Sequence, residues 1–339
     1  MRSSITPTWI FLQNAERTKM EIILRQIEKT YKGILFRRHD PDESIFCFSH
    51  IDYNGLNAEE FSFVSKRGHL LNGNFYSYQS FKPNRLIVFE HGMGSGHNTY
   101  FAEIELLCKN GYLVYSYDHT GCNKSEGEHI YGLSGSLSDL DDCISALISK
   151  AGYREDQISV IGHSWGGFSS LNILAHHPKL HSIVAMSGFI SIPVMHQQIS
   201  PKPFRSHLLD LERRTNPTYA DSNAIDALSK ADRPVLVIHS TDDATVSHKL
   251  NFVALQNALK DKENIEFLSV SGSGHSPHYT ADAFAYKESF FKQLKWHRRM
   301  GKLKTKEQKL AFASRYDWHR MTKQNESVWS KIIGFIKNN

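Results

Sequence analysis

The sequence predicts an α/β protein with a mostly parallel central sheet flanked by helices, and three observations predict it. Short, largely apolar runs recur, Arg85-Leu86-Ile87-Val88-Phe89, Ile158 to Ile161, Ile183 to Met186 and Val235 to His239, as expected of strands buried on both faces of a sheet. Helix-like segments alternate with these runs, the signature of β-α-β units. One run leads straight into Gly162-His163-Ser164-Trp165-Gly166-Gly167, and an apolar helix-like segment from Phe168 to Ala175 follows at once. That context of strand, sharp turn and helix makes Gly-x-Ser-x-Gly a nucleophile elbow. The turn strains Ser164 so that its hydroxyl stands clear of the sheet, and glycines flank it because a Cβ there would collide with neighbouring backbone.

The pentapeptide alone is weak, since three such positions recur by chance in roughly one chain in ten of this length. A serine in an ordinary glycine-rich turn would look the same. Only partners elsewhere decide.

Composition bounds the answer. With 339 residues, 40% hydrophobic and 22% charged, the chain can bury a large core. Its 40 Lys and Arg against 35 Asp and Glu are too nearly balanced to argue for a nucleic-acid partner. Cys47, Cys108, Cys122 and Cys143 have no CxxC or metal-ligand spacing, so buried thiols are expected and no disulfide framework. The cluster Trp9 to Leu12 is too short for a signal-peptide core and no apolar run reaches spanning length, so a cytoplasmic protein without a transmembrane segment is expected. No His-x-x-x-His with acid support suggests a metal.

In chain order, Met20 to Ile27 is an amphipathic stretch expected to form a short helix, and no chemistry is expected in residues 1–55. Glu60 to Val64 and Asn74 to Tyr78, joined by Lys66-Arg67-Gly68-His69, are expected to pair antiparallel around a turn. From Pro83 the apolar strand to Phe89 runs into Glu90-His91-Gly92-Met93-Gly94-Ser95-Gly96. Such a loop leaves main-chain N–H groups free, and one of them can complete an oxyanion hole with the N–H after the nucleophile, which makes Met93 and Trp165 the candidate donors. A helix over about Thr99 to Lys109 is stopped by Asn110-Gly111. The strand Tyr112 to Tyr117 ends on Asp118-His119-Thr120-Gly121. Asp118 precedes the serine, so it is expected to organise its loop. Ser138 to Lys150 is an amphipathic helix that leads into the elbow.

After the Ile183 to Met186 strand the alternation breaks. Residues from Ile190 to about Ala231 carry Pro193, Pro201, Pro203 and Pro217 with more apolar residues than a loop needs, Met195, Ile199, Phe204 and Leu208 among them. A small helical cap accounts for both features; a connector packed on the core is the plainer alternative. The strand Val235 to His239 exits into Ser240-Thr241-Asp242-Asp243, a helix Lys249 to Lys260 follows, and the last strand, Ile265 to Val270, exits into Ser271-Gly272-Ser273-Gly274-His275. An acid and a histidine thus each lie just past a strand end, in the order Ser, Asp, His.

These residues together resemble the α/β-hydrolase superfamily, nearest in pattern to the monoacylglycerol lipase and serine aminopeptidase branch. The matching motifs are His91-Gly92-Met93-Gly94, Asp118 to Gly127, Gly162 to Gly167, Ser240-x-x-Asp243-x-x-Val246 and Gly274-His275, spread over about residues 61–280. The resemblance implies an α/β-hydrolase fold and a serine hydrolase with Ser164 as nucleophile, His275 as base and Asp243, rather than Asp242, as the acid. No cofactor is implied, and the substrate is a small acyl compound. Asn123 departs from the pattern, standing where many relatives have glycine. The terminal helix, Ser327 to Ile336, comes about fifty residues after His275. The organisation expected is an extension over 1–55 and a hydrolase domain over 56–339, with a cap insertion at about 190–231 and a basic insertion at about 280–325.

Within the basic insertion, Lys292 to Lys309 offers a surface for anionic lipid or a partner, against the plainer reading of a solvated helix pair. Three function classes follow: a carboxylic ester hydrolase, lipase-like or thioesterase-like; an aminopeptidase, for which Asp210 and Glu212 would hold the substrate amine; and a non-catalytic protein on the same fold, disfavoured because every triad position is filled.

Overall fold

The computed structural model describes residues 8–78, 85–94 and 96–339, with side chains from Lys19 onward. Pro83, Ser95 and the side chains of Trp9 to Leu12 lie outside the described residues. The strands are β1 (Asn57–Glu60), β2 (Phe63–Val64), β3 (Leu70–Leu71), β4 (Gly73–Ser77), β5 (Leu86–Glu90), β6 (Leu113–Tyr117), β7 (Ile158–His163), β8 (Ser182–Met186), β9 (Val235–Ser240) and β10 (Ile265–Val270). Eight of them form one sheet in the order β1-β4-β6-β5-β7-β8-β9-β10. β1, β4 and β6 pair antiparallel, and every neighbour from β6 to β10 pairs parallel.

The alternation of side chains along a strand divides the core. Leu86 and Val88 of β5 join the apolar cluster on one face, and Ile87 and Phe89 join the cluster on the other. Helices α1 (Thr8–Leu35), α2 (Phe101–Lys109), α3 (Gly135–Ser149) and α4 (Trp165–Asn172) come before β8; α5 (Ile192–Ile199), α6 (Arg205–Thr215) and α7 (Ala224–Ser229) lie between β8 and β9, the segment expected to form a cap; and α8 (Ala254–Ala258) follows β9. Beyond β10 come α9 (Ala281–Arg299), α10 (Lys306–Ala313), α11 (Trp318–Met321) and α12 (Glu326–Asn338). The first face is covered by α3, α4 and the cap, the second by α2 and α12.

Three local expectations need correction. The first strand pair is offset: β1 pairs with β4, while β2 and β3 make a separate hairpin around Gly68, whose φ of +83° suits glycine. The helix after β9 is broken into a wide turn, Lys249–Val253, and the short α8. The helix expected at Met20 to Ile27 runs for 28 residues to Leu35. Asn123 takes φ +43°, the left-handed region that asparagine tolerates, so the loop keeps the shape a glycine would give.

The basic stretch folds as helices with their own apolar core. Phe290, Leu294, Leu303, Phe312 and Met321 pack together, while Lys295, Arg299, Lys302 and Lys304 face outward. Among the described residues no helix is long and apolar enough to cross a membrane.

Candidate active site

The turn between β7 and α4 carries Ser164 at φ +59° and ψ −112°, a region that costs a non-glycine residue on the order of 1–3 kcal/mol. Its neighbours leave no room to relax. A Cβ on Gly162 would run into the Gly166 carbonyl, and one on Gly166 into the Glu90 carbonyl. The Ser164 N–H donates to the Met186 carbonyl at 2.8 Å.

The structure brings the three candidates together. His275 Nε2 lies 2.7 Å from Ser164 Oγ, and His275 Nδ1 lies 2.8 Å from Asp243 Oδ2. The other Asp243 oxygen accepts from the N–H groups of Thr245 and Val246 at 2.8 and 2.9 Å. Burial by itself would raise the Asp243 carboxyl; hydrogen bonds from His239, His275 and the Val246 N–H outweigh it and hold the group well below the usual carboxylate range. A carboxylate that stays ionised there requires the proton on His275 Nδ1, which leaves Nε2 free to accept from Ser164. Asp242 points elsewhere, accepting from Ser240 Oγ at 2.5 Å and from the Gly272 and Gly274 N–H groups at 3.0 and 3.2 Å.

His275 is itself held by a relay absent from the sequence reading. Its carbonyl lies 2.6 Å from His163 Nε2, and a carbonyl only accepts, so that nitrogen carries the proton. His163 Nδ1 then accepts from the Tyr100 hydroxyl at 2.8 Å. Burial, followed by the neighbouring His278 and His275, keeps His163 well below its ordinary pKa and therefore neutral.

The glycine-rich loop after β5 passes against the nucleophile: a methyl group on Gly92 would stand 3.3 Å from Ser164 Cβ. His91 fixes that loop. Its Nε2 accepts the His119 N–H at 3.1 Å, so Nδ1 carries the proton and donates to the Gly92 carbonyl at 2.7 Å. The C=O of Gly92 and the N–H of Met93 belong to one trans peptide and point oppositely, so this bond fixes which way the Met93 N–H faces. Trp165 opens α4, where main-chain N–H groups have no partner inside the helix and the dipole is positive. Among the described residues neither N–H has a hydrogen-bond partner in the protein.

Beneath the elbow lies buried charge. His119 Nε2 and Nδ1 approach Glu90 and Asp139 at 3.3 and 3.4 Å without hydrogen-bonding geometry, so the attraction is Coulombic. Burial depresses His119, but the two carboxylates outweigh it and push it up to about 9. Asp118 organises its loop as expected, accepting from His97 Nδ1 at 2.8 Å and Asn123 Nδ2 at 2.9 Å.

A cavity of about 390 Å³ opens on Ser164. Met195 and Ile199 of the cap line it, with Met93, Leu133, Phe189 and Val246. Leu208 is buried in the core instead, and Phe204 lies outside the cavity lining. The larger cavity, about 670 Å³ around Asn172, Asp221 and Arg233, touches none of Ser164, Asp243 and His275. Residues 1–55, in which the sequence shows no chemistry, supply Tyr31, Ile34 and Leu35 to the smaller one; their i, i+3, i+4 spacing on one helical face is the available signal.

The two cap acids differ. Asp210 is exposed and pairs with Arg213 at 3.2 Å. Glu212 is fully buried and accepts from the Tyr31 hydroxyl at 2.6 Å, the Leu133 N–H at 3.0 Å and Ser134 Oγ at 3.4 Å. Neither lines the cavity.

Comparison with known proteins agrees with this architecture. Residues 82–230 match the model of the serine aminopeptidase S33 family. An esterase of Pyrococcus furiosus superposes with a TM-score of 0.57 at 17% identity, over 78% of this chain and 98% of that one. The chain has the α/β-hydrolase fold. Within that superfamily it is similar to alpha/beta hydrolase domain-containing protein 17B of Xenopus laevis, 25% identical over 56% of this chain and 60% of that protein. Rat monoglyceride lipase is 30% identical over 28% of this chain and 32% of the lipase. The chain thus spans less than two thirds of the length of either relative, and its likeness is to the monoacylglycerol lipase-like branch of α/β-hydrolases.

Proposed function

We propose that this α/β-hydrolase is a serine hydrolase that cleaves carboxylic acyl esters through Ser164, His275 and Asp243. What carries the proposal is the hydrogen-bonded chain Asp243, His275, Ser164 at the opening of an apolar cavity. In the mechanism, His275 Nε2 takes the proton from Ser164 as its oxygen attacks the acyl carbon, and Asp243 stabilises the imidazolium. The main-chain N–H groups of Met93 and Trp165 hold the oxyanion. His275 then protonates the departing alcohol, and water repeats the cycle on the acyl-enzyme.

An apolar wall favours an acyl chain by about 0.8 kcal/mol per buried methylene, close to fourfold each. An acyl thioester would meet the same wall and is the second substrate to test. For an aminopeptidase the observations are unfavourable: Asp210 is engaged at the surface and Glu212 is consumed inside the protein, so neither of the two cap acids is placed to hold a substrate amine.

The test pairs a fluorophosphonate probe with a substrate screen. Wild type should be labelled and Ser164→Ala should not, with kcat falling by on the order of 10⁶. Acyl esters of graded length should outpace aminoacyl amides. Equal labelling of the two proteins refutes the nucleophile, and faster turnover of the amides refutes the ester preference.

A further inference from the structure

We propose that helix α1 is the specificity wall of the acyl pocket: Tyr31 locks the helix to the cap, and Ile34 sets the rim that limits acyl length. The inference rests on Ser164 being the acylated residue. It concerns a part of the chain outside the segment, residues 82–230, that matches the serine aminopeptidase family.

The placement is physical. Tyr31 and Leu35 are each 7% exposed and form the inner wall, whereas Ile34, 58% exposed, and Ile199 of α5, 42% exposed, line the same cavity on its solvent side. An acyl chain leaving Ser164 therefore runs between α1 and α5. The helix is not free to swing away. The Tyr31 hydroxyl gives its proton to Glu212 at 2.6 Å, so the 2.9 Å contact to His196 must be a donation from His196 Nε2. Burial takes His196 down to about 4, which keeps it neutral. Glu28 adds a contact at 3.3 Å to His207 on α6.

Just past α1 the chain is stitched to the loop after β6. Arg38 donates to the carbonyls of Ser125 and Gly127 at 2.9 and 2.8 Å and to that of Asn123. The N–H of Ile130 donates to the Arg37 carbonyl at 3.2 Å. The wall is thus fixed at the residues that touch the cavity.

The experiment measures the ratio of kcat/KM for an octanoyl ester over an acetyl ester, and in parallel the ratio of Ser164 labelling rates for a long-alkyl over a short-alkyl fluorophosphonate. Ile34→Trp adds bulk at an exposed rim position, where folding is little affected; a melting curve checks this. Both ratios should fall by on the order of tenfold or more. Ile34→Ser, which makes the rim polar, should lower them by about two- to fourfold, about the loss of one methylene contact. Arg25→Ala, on the exposed side of the same helix, should leave them at the wild-type value. If Ile34→Trp keeps both wild-type ratios, α1 is not the wall and the inference falls. If wild type labels with chain-length dependence yet turns over no ester, the ester assignment falls while the phosphonate ratios still decide the role of α1. Failure of wild type to label at all overturns both.

Discussion

Replacing Asp243 by asparagine is the sharpest test of the proposed acid, because the structure dictates how the new amide must sit. One oxygen of Asp243 accepts two main-chain N–H groups, from Thr245 and Val246, which cannot change their protonation. The asparagine oxygen therefore keeps that side and its NH₂ turns toward His275. His239 tolerates this, since its Nε2–H has the Val246 carbonyl at 2.9 Å as an acceptor. His275 can only answer an NH₂ by presenting a bare Nδ1, which moves its proton to Nε2, against Ser164 Oγ. The base is then in the wrong tautomer. A loss of on the order of 10⁴ in kcat is expected, a barrier increase of about 5.5 kcal/mol, with little change in KM. Asp242→Asn disturbs only the bonds to Ser240, Gly272 and Gly274 and should cost less than about tenfold, with a stability loss of about 1 kcal/mol. Steady-state kinetics on one ester, with burst titration to count intact sites, measures both. Equal losses in the two variants refute the assignment of Asp243.

Two more outcomes are expected. Tyr100→Phe removes the hydroxyl that His163 accepts, so His275 loses its fixed placement; kcat should fall on the order of tenfold with KM nearly unchanged, and an unchanged kcat beside a lowered melting temperature would make the relay merely structural. His119, pushed up to about 9 from its ordinary 6.5, binds its proton more tightly in the folded state, so its stabilisation is complete below about pH 6.5 and is lost as pH rises through about 9, at most about 3 kcal/mol. Denaturant unfolding at about pH 6 and about pH 9 should show that decline in wild type and a flatter profile in His119→Asn; parallel profiles would refute the charge on His119.

The inner strands of the sheet were legible because buried parallel strands are written as contiguous apolar runs, and Ser164 and Asp243 each follow such a run, whereas His275 follows the mixed, half-exposed edge strand β10 and was marked by its Gly-His loop. The substrate side was not. Tyr31 and Glu212 stand 181 residues apart, and nothing local in a helix rich in Lys and Glu says what will pack on it. Glu212 did carry a signal: it shares the helical face of Leu208, at i−4, and of Leu211 beside it, whereas Asp210 falls between them on the exposed side. An acid among buried leucines is better read as an internal acceptor than as a surface charge for a ligand. The break after Lys249 had no marker at all, since no Gly or Pro interrupts residues 249–260.

Burying a carboxylate among apolar helices is costly, and what Glu212 connects gives the physical reason for its presence. Burial raises its pKa, opposed by donors from Tyr31, Leu133 and Ser134. Leu133 is the junction: its N–H donates to Glu212, and its carbonyl accepts from Trp165 Nε1 at 2.6 Å. Trp165 is held again from the other side, where Ser136 Oγ donates to its carbonyl at 3.1 Å. One continuous set of hydrogen bonds therefore runs from α1, through the cap, to the residue whose main-chain N–H faces the proposed oxyanion. The strain at Ser164 is contained by its N–H bond to Met186 of β8 and by the close packing at Gly162 and Gly166. The substrate wall is thus joined to the elbow at Leu133 and Trp165, and a change in α1 or Glu212 reaches the proposed oxyanion donor through those two residues.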